Sequence, residues 1–340
     1  MLDFLAQYGL FLAKTLTLLA AVVVAAGVLA NLAQQAREHA HDRIRVRNLN
    51  HRLQDMAAVL NSELLDKAGR KAEQKARKAE EKAQRLARKQ GHAKDRPRIF
   101  VLDFKGDLRA AQTVSLREEI SALLQVARDH DEVLLRLESE GGMVHGYGLA
   151  ASQLQRIRDR RIKLTAAVDK VAASGGYLMA CVADRIIAAP FAIVGSIGVV
   201  GQLPNFSRLL KKHDVDYELH TAGQYKRTLT VFGENTDEAR EKYRAELEDV
   251  HALFKSFVTD NRPQLHIDQV ATGEHWYGTR ALGLKLIDEI RTSDDWLLER
   301  AKDCDLLEVH YKPHTSIADR IGRGIARLRG ESPPDGPLLL

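Results

Sequence analysis

The 340-residue chain carries 51 lysines and arginines against 46 aspartates and glutamates, and this formal net charge of +5 is unevenly distributed. Residues 37–98 contain 18 bases and 9 acids, a net charge of +9, whereas residues 99–340 contain 32 bases and 36 acids, a net charge of −4. The hydrophobic share of 45% is that of a globular protein and excludes wholesale disorder. With only Cys181 and Cys304 present, a disulfide framework and a four-cysteine zinc site are also excluded.

Residues 1–36 are predicted to be an N-terminal membrane anchor. Thr15 to Ala30 is an unbroken apolar stretch, and with its flanks it reaches the roughly 20 residues that a helix needs to cross a bilayer, which predicts a helix at about residues 10–32. A cleaved signal peptide is the alternative, but a basic n-region and a small-residue cleavage site are both missing. Arginines after the anchor would keep the following domain in the cytoplasm, although long domains can cross regardless of charge.

Residues 37–98 are predicted to form a basic helical stalk or linker. Alanines recur there at helical spacing among lysines, arginines and glutamates, the pattern of a solvated helix. The stalk would contact anionic lipid headgroups or serve as a soluble spacer. Nucleic acid is not an expected partner, because no aromatic residues are interleaved among the bases. Gly91 to Pro97 is predicted to end the stalk, and residues 313–340 are predicted to form a mobile C-terminal tail.

The region of residues 99–312 alternates predicted strands and helices, which indicates an α/β domain with buried strands. Predicted strands cover residues 99–104, 132–137, 163–168 and 185–189. Predicted helices or helix-like units cover residues 114–128, 146–160, 237–261, 267–272 and 279–284. A short apolar segment opens at Ser174.

The common metal and nucleotide motifs are missing from the sequence. It contains no His-Glu-x-x-His, no P-loop, no Gly-x-Gly-x-x-Gly after a strand and no lipase-type Gly-x-Ser-x-Gly. The 13 histidines form no ligand set. The sequence therefore predicts neither a metal nor a cofactor.

Three glycine-rich loops are the remaining candidates for chemistry. The pair Gly141–Gly142 follows a predicted strand, where bare backbone amides suit an oxyanion hole or simply form a turn. Ser174 precedes two glycines and an apolar helix, which suits an accessible nucleophile or, more commonly, an N-cap. Ser196 lies in the third loop, Gly-Ser-Ile-Gly.

Lys226 lies downstream of the third loop, in Gly-Gln-Tyr-Lys. A lysine serves as the base for a serine nucleophile only if desolvation or its neighbours lower its pKa towards neutrality. The sequence around Lys226 is largely apolar and rich in hydroxyl groups. The ordinary alternative is an exposed surface lysine.

Taken together and in this order, the loops closely resemble the signal peptide peptidase family of membrane-anchored serine proteases. The motifs are the Gly-Gly loop, the Ser-Gly-Gly helix start, Gly-Ser-x-Gly and Gly-x-x-Lys. The apolar N-terminus, basic stretch and single domain look most like its SohB branch. The resemblance implies a Clp protease/crotonase-like spiral of β-β-α units, a homo-oligomeric ring, peptide or protein substrates at the bacterial inner membrane, and no cofactor. It is also compatible with a catalytic domain on the periplasmic side.

The resemblance also implies residue roles. Ser174 would be the nucleophile and Lys226 the general base, with Gly141, Gly142 and Gly175 supplying the oxyanion hole. One departure is Glu140, since the family usually has proline before the glycine pair. Ser-Lys sites need a group that orients the lysine, and we expect Ser196 to supply it.

Two other functions fit parts of the pattern. A membrane-anchored assembly scaffold with a vestigial site would need none of the chemistry. A crotonase-like acyl-CoA enzyme would use the glycine loops to polarise a thioester, but it needs neither a membrane anchor nor a Ser/Lys pair.

Overall fold

The structure, a computed structural model, describes residues 9–24, 27, 44–72, 75–76, 79, 82, 86 and 96–312. The chain divides into two compact units, Val46–His310 and residues 1–45 together with residues 311–340. The predicted C-terminal tail lies outside the described residues, as does much of the predicted stalk after residue 72.

Near-continuous apolar runs form the central strands of a seven-stranded sheet. Its order is β1-β10-β2-β3-β4-β6-β9, and neighbouring strands from β10 to β9 are all parallel. Parallel sheets are covered on both faces, which explains runs such as Ile99–Leu102 that are buried without alternation. The strands are β1 (Ile44–Asn48), β2 (Arg98–Lys105), β3 (Glu132–Glu138), β4 (Lys163–Val168), β6 (Arg185–Ala188), β9 (Glu289–Ile290) and β10 (Asp305–Tyr311).

A second sheet of three short strands carries the glycine-rich loops. It consists of β5 (Val171–Ala173), β7 (Ile193–Gly195) and β8 (His275–Tyr277). Strands β5 and β7 are parallel, with Ala173 opposite Gly195, so the residues that follow these two strands leave the sheet side by side.

Besides the helical residues 67–72, nine helices of the Val46–His310 unit connect or flank these strands within the described ranges. They are α1 (Leu49–Leu64), α2 (Thr113–Leu123), α3 (Val144–Asp159), α4 (Gly175–Ala180), α5 (Ser207–Lys212), α6 (Asp237–Asn261), α7 (Ile267–Val270), α8 (Gly278–Gly283) and α9 (Ser293–Arg300). The prediction of a mixed α/β domain is confirmed. Helix α2 ends at Leu123 rather than at residue 128. The strands of two or three residues are not predicted by the sequence, because such short segments show no periodicity.

Part of the predicted stalk is packed into this unit instead. Strand β1 forms the edge of the main sheet, and Leu49 is buried in the core. The Asn50 side chain donates to the carbonyls of Ala301 and Cys304 and accepts from the amide of Leu306, which fastens the start of α1 beside β10. The stalk boundary expected from the sequence therefore differs from the structure, since composition alone does not show long-range pairing.

The predicted anchor is described only in part. Residues 9–24 are helical, while residues 25, 26 and 28–32 of the predicted helix lie outside the described ranges. Among the helices that the structure describes, none combines the length and the apolar character required to cross a membrane.

Candidate functional site

Ser174 lies at a strained turn between β5 and α4. Its φ of 52° and ψ of −120° are unusual for a residue other than glycine, and such strain often accompanies function. The main chain is firmly held, because the Ser174 amide donates to the Gly195 carbonyl (2.8 Å) and its carbonyl accepts from the Leu178 amide (2.9 Å). The side chain makes no capping hydrogen bond, so the hydroxyl is not used as an N-cap.

The two glycines after Ser174 are required by close packing. A Cβ atom added at Gly175 would lie 2.4 Å from the Tyr147 ring, and one added at Gly176 would lie 2.5 Å from the Ser139 carbonyl oxygen. The Ser-Gly-Gly sequence therefore lets α4 pack directly against β3 and α3 behind the serine.

The Gly141–Gly142 loop after β3 lies against Ser174. Gly141 has a φ of 94°, and a Cβ atom there would come within 2.7 Å of the Ser174 Cβ. The Gly141 amide, however, donates to the Ser139 hydroxyl (3.0 Å). Within the described chain, the amides of Gly142 and Gly175 have no hydrogen-bond acceptor, and both residues line one cavity with Ser174. These two amides are therefore the free donors next to the serine.

That cavity has a volume of about 350 Å³ and an uncharged, largely apolar lining. Helix α6 contributes one wall through Val250, Leu253, Phe254 and Phe257. The remaining lining residues include Val144, Leu178 and Val199. The cavity is suited to an apolar side chain or a short extended peptide segment.

Ser196 occupies the position beside Ser174 that the strand register dictates. It follows β7 as Ser174 follows β5, and its φ of 51° is nearly the same. Its amide donates to the Glu274 carbonyl at 2.7 Å, which fixes the turn. The two serines therefore follow neighbouring strand ends with nearly the same φ angle.

Lys226 is not brought to Ser174 in this arrangement. It is exposed, is not among the residues that line the cavity, and lies on the irregular segment between α5 and α6. Its amide donates to the Gly223 carbonyl (3.2 Å), and the neighbouring Tyr225 ring lies under the Lys242 ammonium (4.9 Å). Helix α6 thus contacts the lysine segment through its first half and lines the cavity through its second half.

Sequence reasoning did not find Ser139 and Tyr147. Ser139 is 2% exposed and Tyr147 is fully buried, and their hydroxyl oxygens lie 2.6 Å apart behind the glycine loop. A polar residue directly after a buried strand was the available signal for Ser139. Among the described residues, no group of three or more histidines, cysteines, aspartates or glutamates could hold a metal ion.

The chain is similar to known protein families and proteins. Models described as "Peptidase family S49 N-terminal" and "Peptidase family S49" match residues 3–154 and 156–307. A probable protease SohB of Haemophilus influenzae is 51% identical over 328 residues, covering 94% of this chain and 93% of the relative. A probable protease SohB of Buchnera aphidicola subsp. Schlechtendalia chinensis is 49% identical over 305 residues, covering 88% of this chain and 100% of the relative. The solved structure of a membrane-bound stomatin-specific protease, 1510-N, with a substrate peptide aligns at a TM-score of 0.42 and 13% identity, covering 68% of this chain and 99% of that chain.

The chain belongs to peptidase family S49, a family of proteases. The resemblance inferred from the order of the glycine loops is thereby confirmed, down to relatives that carry the SohB name.

The close approach at Gly141 predicts a specific cost of substitution. Gly141→Ala adds a steric clash with Ser174 to the strain of a positive φ, so we expect the free energy of unfolding to fall by about 2–4 kcal/mol. Gly273→Ala is the matched control, because Gly273 has a φ of 84° and open space around it. There we expect a loss of about 1 kcal/mol from backbone strain alone. Denaturant unfolding measures both, and equal losses would contradict the close contact.

Proposed function

We propose that this protein is a membrane-anchored serine endopeptidase that hydrolyses peptide bonds of peptides or proteins at the bacterial inner membrane through a Ser174–Lys226 dyad. The observation that carries this proposal is the position of Ser174. Its hydroxyl makes no capping hydrogen bond, and the residue lines an apolar cavity next to two unused backbone amides. Membership of peptidase family S49 supports the reaction class.

The reaction proceeds by acyl transfer. The Ser174 hydroxyl attacks the peptide carbonyl while the neutral amine of Lys226 accepts its proton. The amides of Gly142 and Gly175 donate to the tetrahedral oxyanion, and each such donor typically contributes about 2.7–4 kcal/mol. Lys226 returns the proton to the leaving amine, which breaks the C–N bond and leaves an acyl group on Ser174. Water then attacks the acyl carbon while Lys226 accepts its proton. Lys226 passes this proton to the Ser174 oxygen as the ester C–O bond breaks, and the product leaves as a carboxylic acid that ionises in water.

For Lys226 to act on Ser174, the segment that carries the lysine must close over the cavity. A lysine acts as a base only when it is removed from water, and a cavity whose described lining holds no charged side chain favours the neutral form of an entering amine. The segment exposes large apolar side chains, among them Tyr225 and Phe232, that closure would cover. We propose that assembly into a homo-oligomeric ring provides this cover, and a solubilised protein with the mass of one chain would contradict it.

The anchor, the stalk and the spiral fold belong to the same proposal. The apolar stretch of residues 15–30 would hold the chain in the membrane, with the basic residues after it against anionic headgroups. The succession of β4, β5 and α4, followed by β6, β7 and α5, supports a Clp protease/crotonase-like spiral of β-β-α units.

The dyad predicts that Ser174→Ala and Lys226→Ala each lower cleavage of casein or an apolar peptide by at least about a thousandfold, because nucleophile and base act as one unit. Arg227→Ala is the matched control for Lys226, since it removes an exposed base from the adjacent position. Circular dichroism should show that all three variants are folded.

Persisting cleavage by either dyad variant would refute the mechanism. Labelling of wild-type Ser174, but not of Ser152, by a fluorophosphonate would separate the protease from a scaffold with a vestigial site.

Ser196 is expected to orient the Lys226 amine. In Ser196→Ala the amine loses this partner, so we expect kcat/KM to fall and the acidic limb of its pH profile to move to higher pH. A pH–rate profile whose acidic limb coincides with that of the wild type would contradict the role.

The anchor predicts that two arginines in the apolar stretch release the protein from membranes. The double substitution Leu19→Arg, Val23→Arg raises the free energy of membrane insertion by about 2.5–3.5 kcal/mol per charge at the centre of a bilayer. We expect this variant in the supernatant after carbonate washing and centrifugation, and a Leu19→Ile, Val23→Ile control in the pellet. A double-arginine variant that stays in the pellet would contradict the anchor.

A further inference from the structure

The buried hydroxyl groups of Ser139 and Tyr147 lie behind the glycine loop and form a series of hydrogen bonds. The donor and the acceptor of each bond in this series are fixed. Tyr147 Oη donates to the main-chain carbonyl of Asp107 (2.8 Å), an acceptor that has no hydrogen to give. The proton shared across the 2.6 Å contact must therefore come from Ser139, whose Oγ in turn accepts from the Gly141 amide (3.0 Å). Each donor in the chain is thus committed to a single acceptor.

Main-chain hydrogen bonds and close packing hold these two hydroxyl groups in place. The Ser139 amide donates to the Val171 carbonyl (2.9 Å), and its carbonyl accepts from the Ala173 amide (3.0 Å), so its main chain is bound to β5. A Cβ atom at Gly106 would lie only 2.2 Å from Tyr147 Oη and 2.4 Å from Ser139 Oγ, so the hydroxyls have no room to turn away. Burial raises the pKa of Tyr147 above its ordinary value, which keeps its hydroxyl protonated at neutral pH.

The hydrogen bond from the Gly141 amide determines which amide of the glycine loop stays free. Because the Gly141 amide is turned back towards Ser139, the loop leaves the Gly142 amide as its free donor beside Ser174. Tyr147 also touches the other donor, since its ring packs against the Gly175 Cα so closely that a Cβ atom there would lie 2.4 Å away. One buried tyrosine therefore supports both amides that flank the serine.

We propose that Ser139 and Tyr147 are positioning residues of the oxyanion hole, which hold back the Gly141 amide so that those of Gly142 and Gly175 face the reacting carbonyl. The inference rests on the proposed function. Neither side chain touches the reacting atoms through its hydroxyl; both act through the glycine loop.

The test measures peptide cleavage by the full chain and by Tyr147→Phe, Ser139→Ala and the double variant. We expect each to lower kcat by about 10–100-fold, somewhat less than the loss of an oxyanion donor, with KM changed by less than about threefold. The kcat of the double variant should be no lower than that of the less active single variant. Loss of either hydroxyl already interrupts the series of hydrogen bonds and frees the glycine loop. Affinity for a peptide boronate, which forms a tetrahedral adduct on the serine, should fall in parallel with kcat/KM.

Tyr177→Phe is the matched control. Tyr177 is also fully buried, and its hydroxyl donates to the Leu286 carbonyl (2.9 Å), away from the glycine loop. We expect this variant to lose thermal stability to a similar extent as Tyr147→Phe, while its kcat stays within about twofold of the wild type. A merely structural role for Tyr147 would make the two variants alike in kcat.

Failure of the inference can be told apart from failure of the proposed function. If the wild type cleaves and Ser174→Ala does not, a Tyr147→Phe variant with wild-type kcat refutes the positioning role alone. Hydrogen exchange of residues 139–142 should be faster in Tyr147→Phe than in Tyr177→Phe, and equal rates would also refute it. If the wild type does not cleave peptides, the proposed function fails and the positioning role falls with it.

Discussion

The junction at Ser139 is the constraint on which the rest of the site depends. Strand β3 belongs to the main sheet, yet its continuation at Ser139 pairs with β5 of the small sheet. The residue is bonded through its amide, its carbonyl and its hydroxyl, and it is almost completely buried. An unpaired polar group at this depth would be costly, so the two sheets and the glycine loop are held in one relative position.

The small residues around the serine follow from this junction. Gly141 and Gly175 approach their neighbours more closely than any side chain permits, which places the free amides of Gly142 and Gly175 beside Ser174. The positive φ angles of Ser174 and Ser196 show where the chain bears the resulting strain. Such strain persists only when surrounding hydrogen bonds over-determine the conformation, as those to Gly195 and Glu274 do here.

The contrast between Ser174 and Lys226 has a physical basis. The serine is placed by sheet pairing and buried packing, whereas the lysine lies on an exposed segment held mainly by contacts to α6 and by Asn205, which donates to the Thr230 and Gly233 carbonyls. A charged amine is stabilised by water, and a base must be removed from it. In the proposed mechanism, a base that stays exposed until its segment closes would keep proteolysis under structural control.

The amino-acid sequence by itself determined the α/β class, the long central strands and the family, because apolar runs and ordered glycine motifs are local patterns. It also drew attention to Ser174, Ser196 and the Gly141–Gly142 pair, although not to which amide is free. Only the tertiary structure decided that β1 joins the sheet, that the Gly141 amide is engaged by Ser139 and that Tyr147 lies behind both donors. These features depend on hydrogen bonds and close contacts between residues distant along the chain, and no local pattern of residue types specifies such pairings.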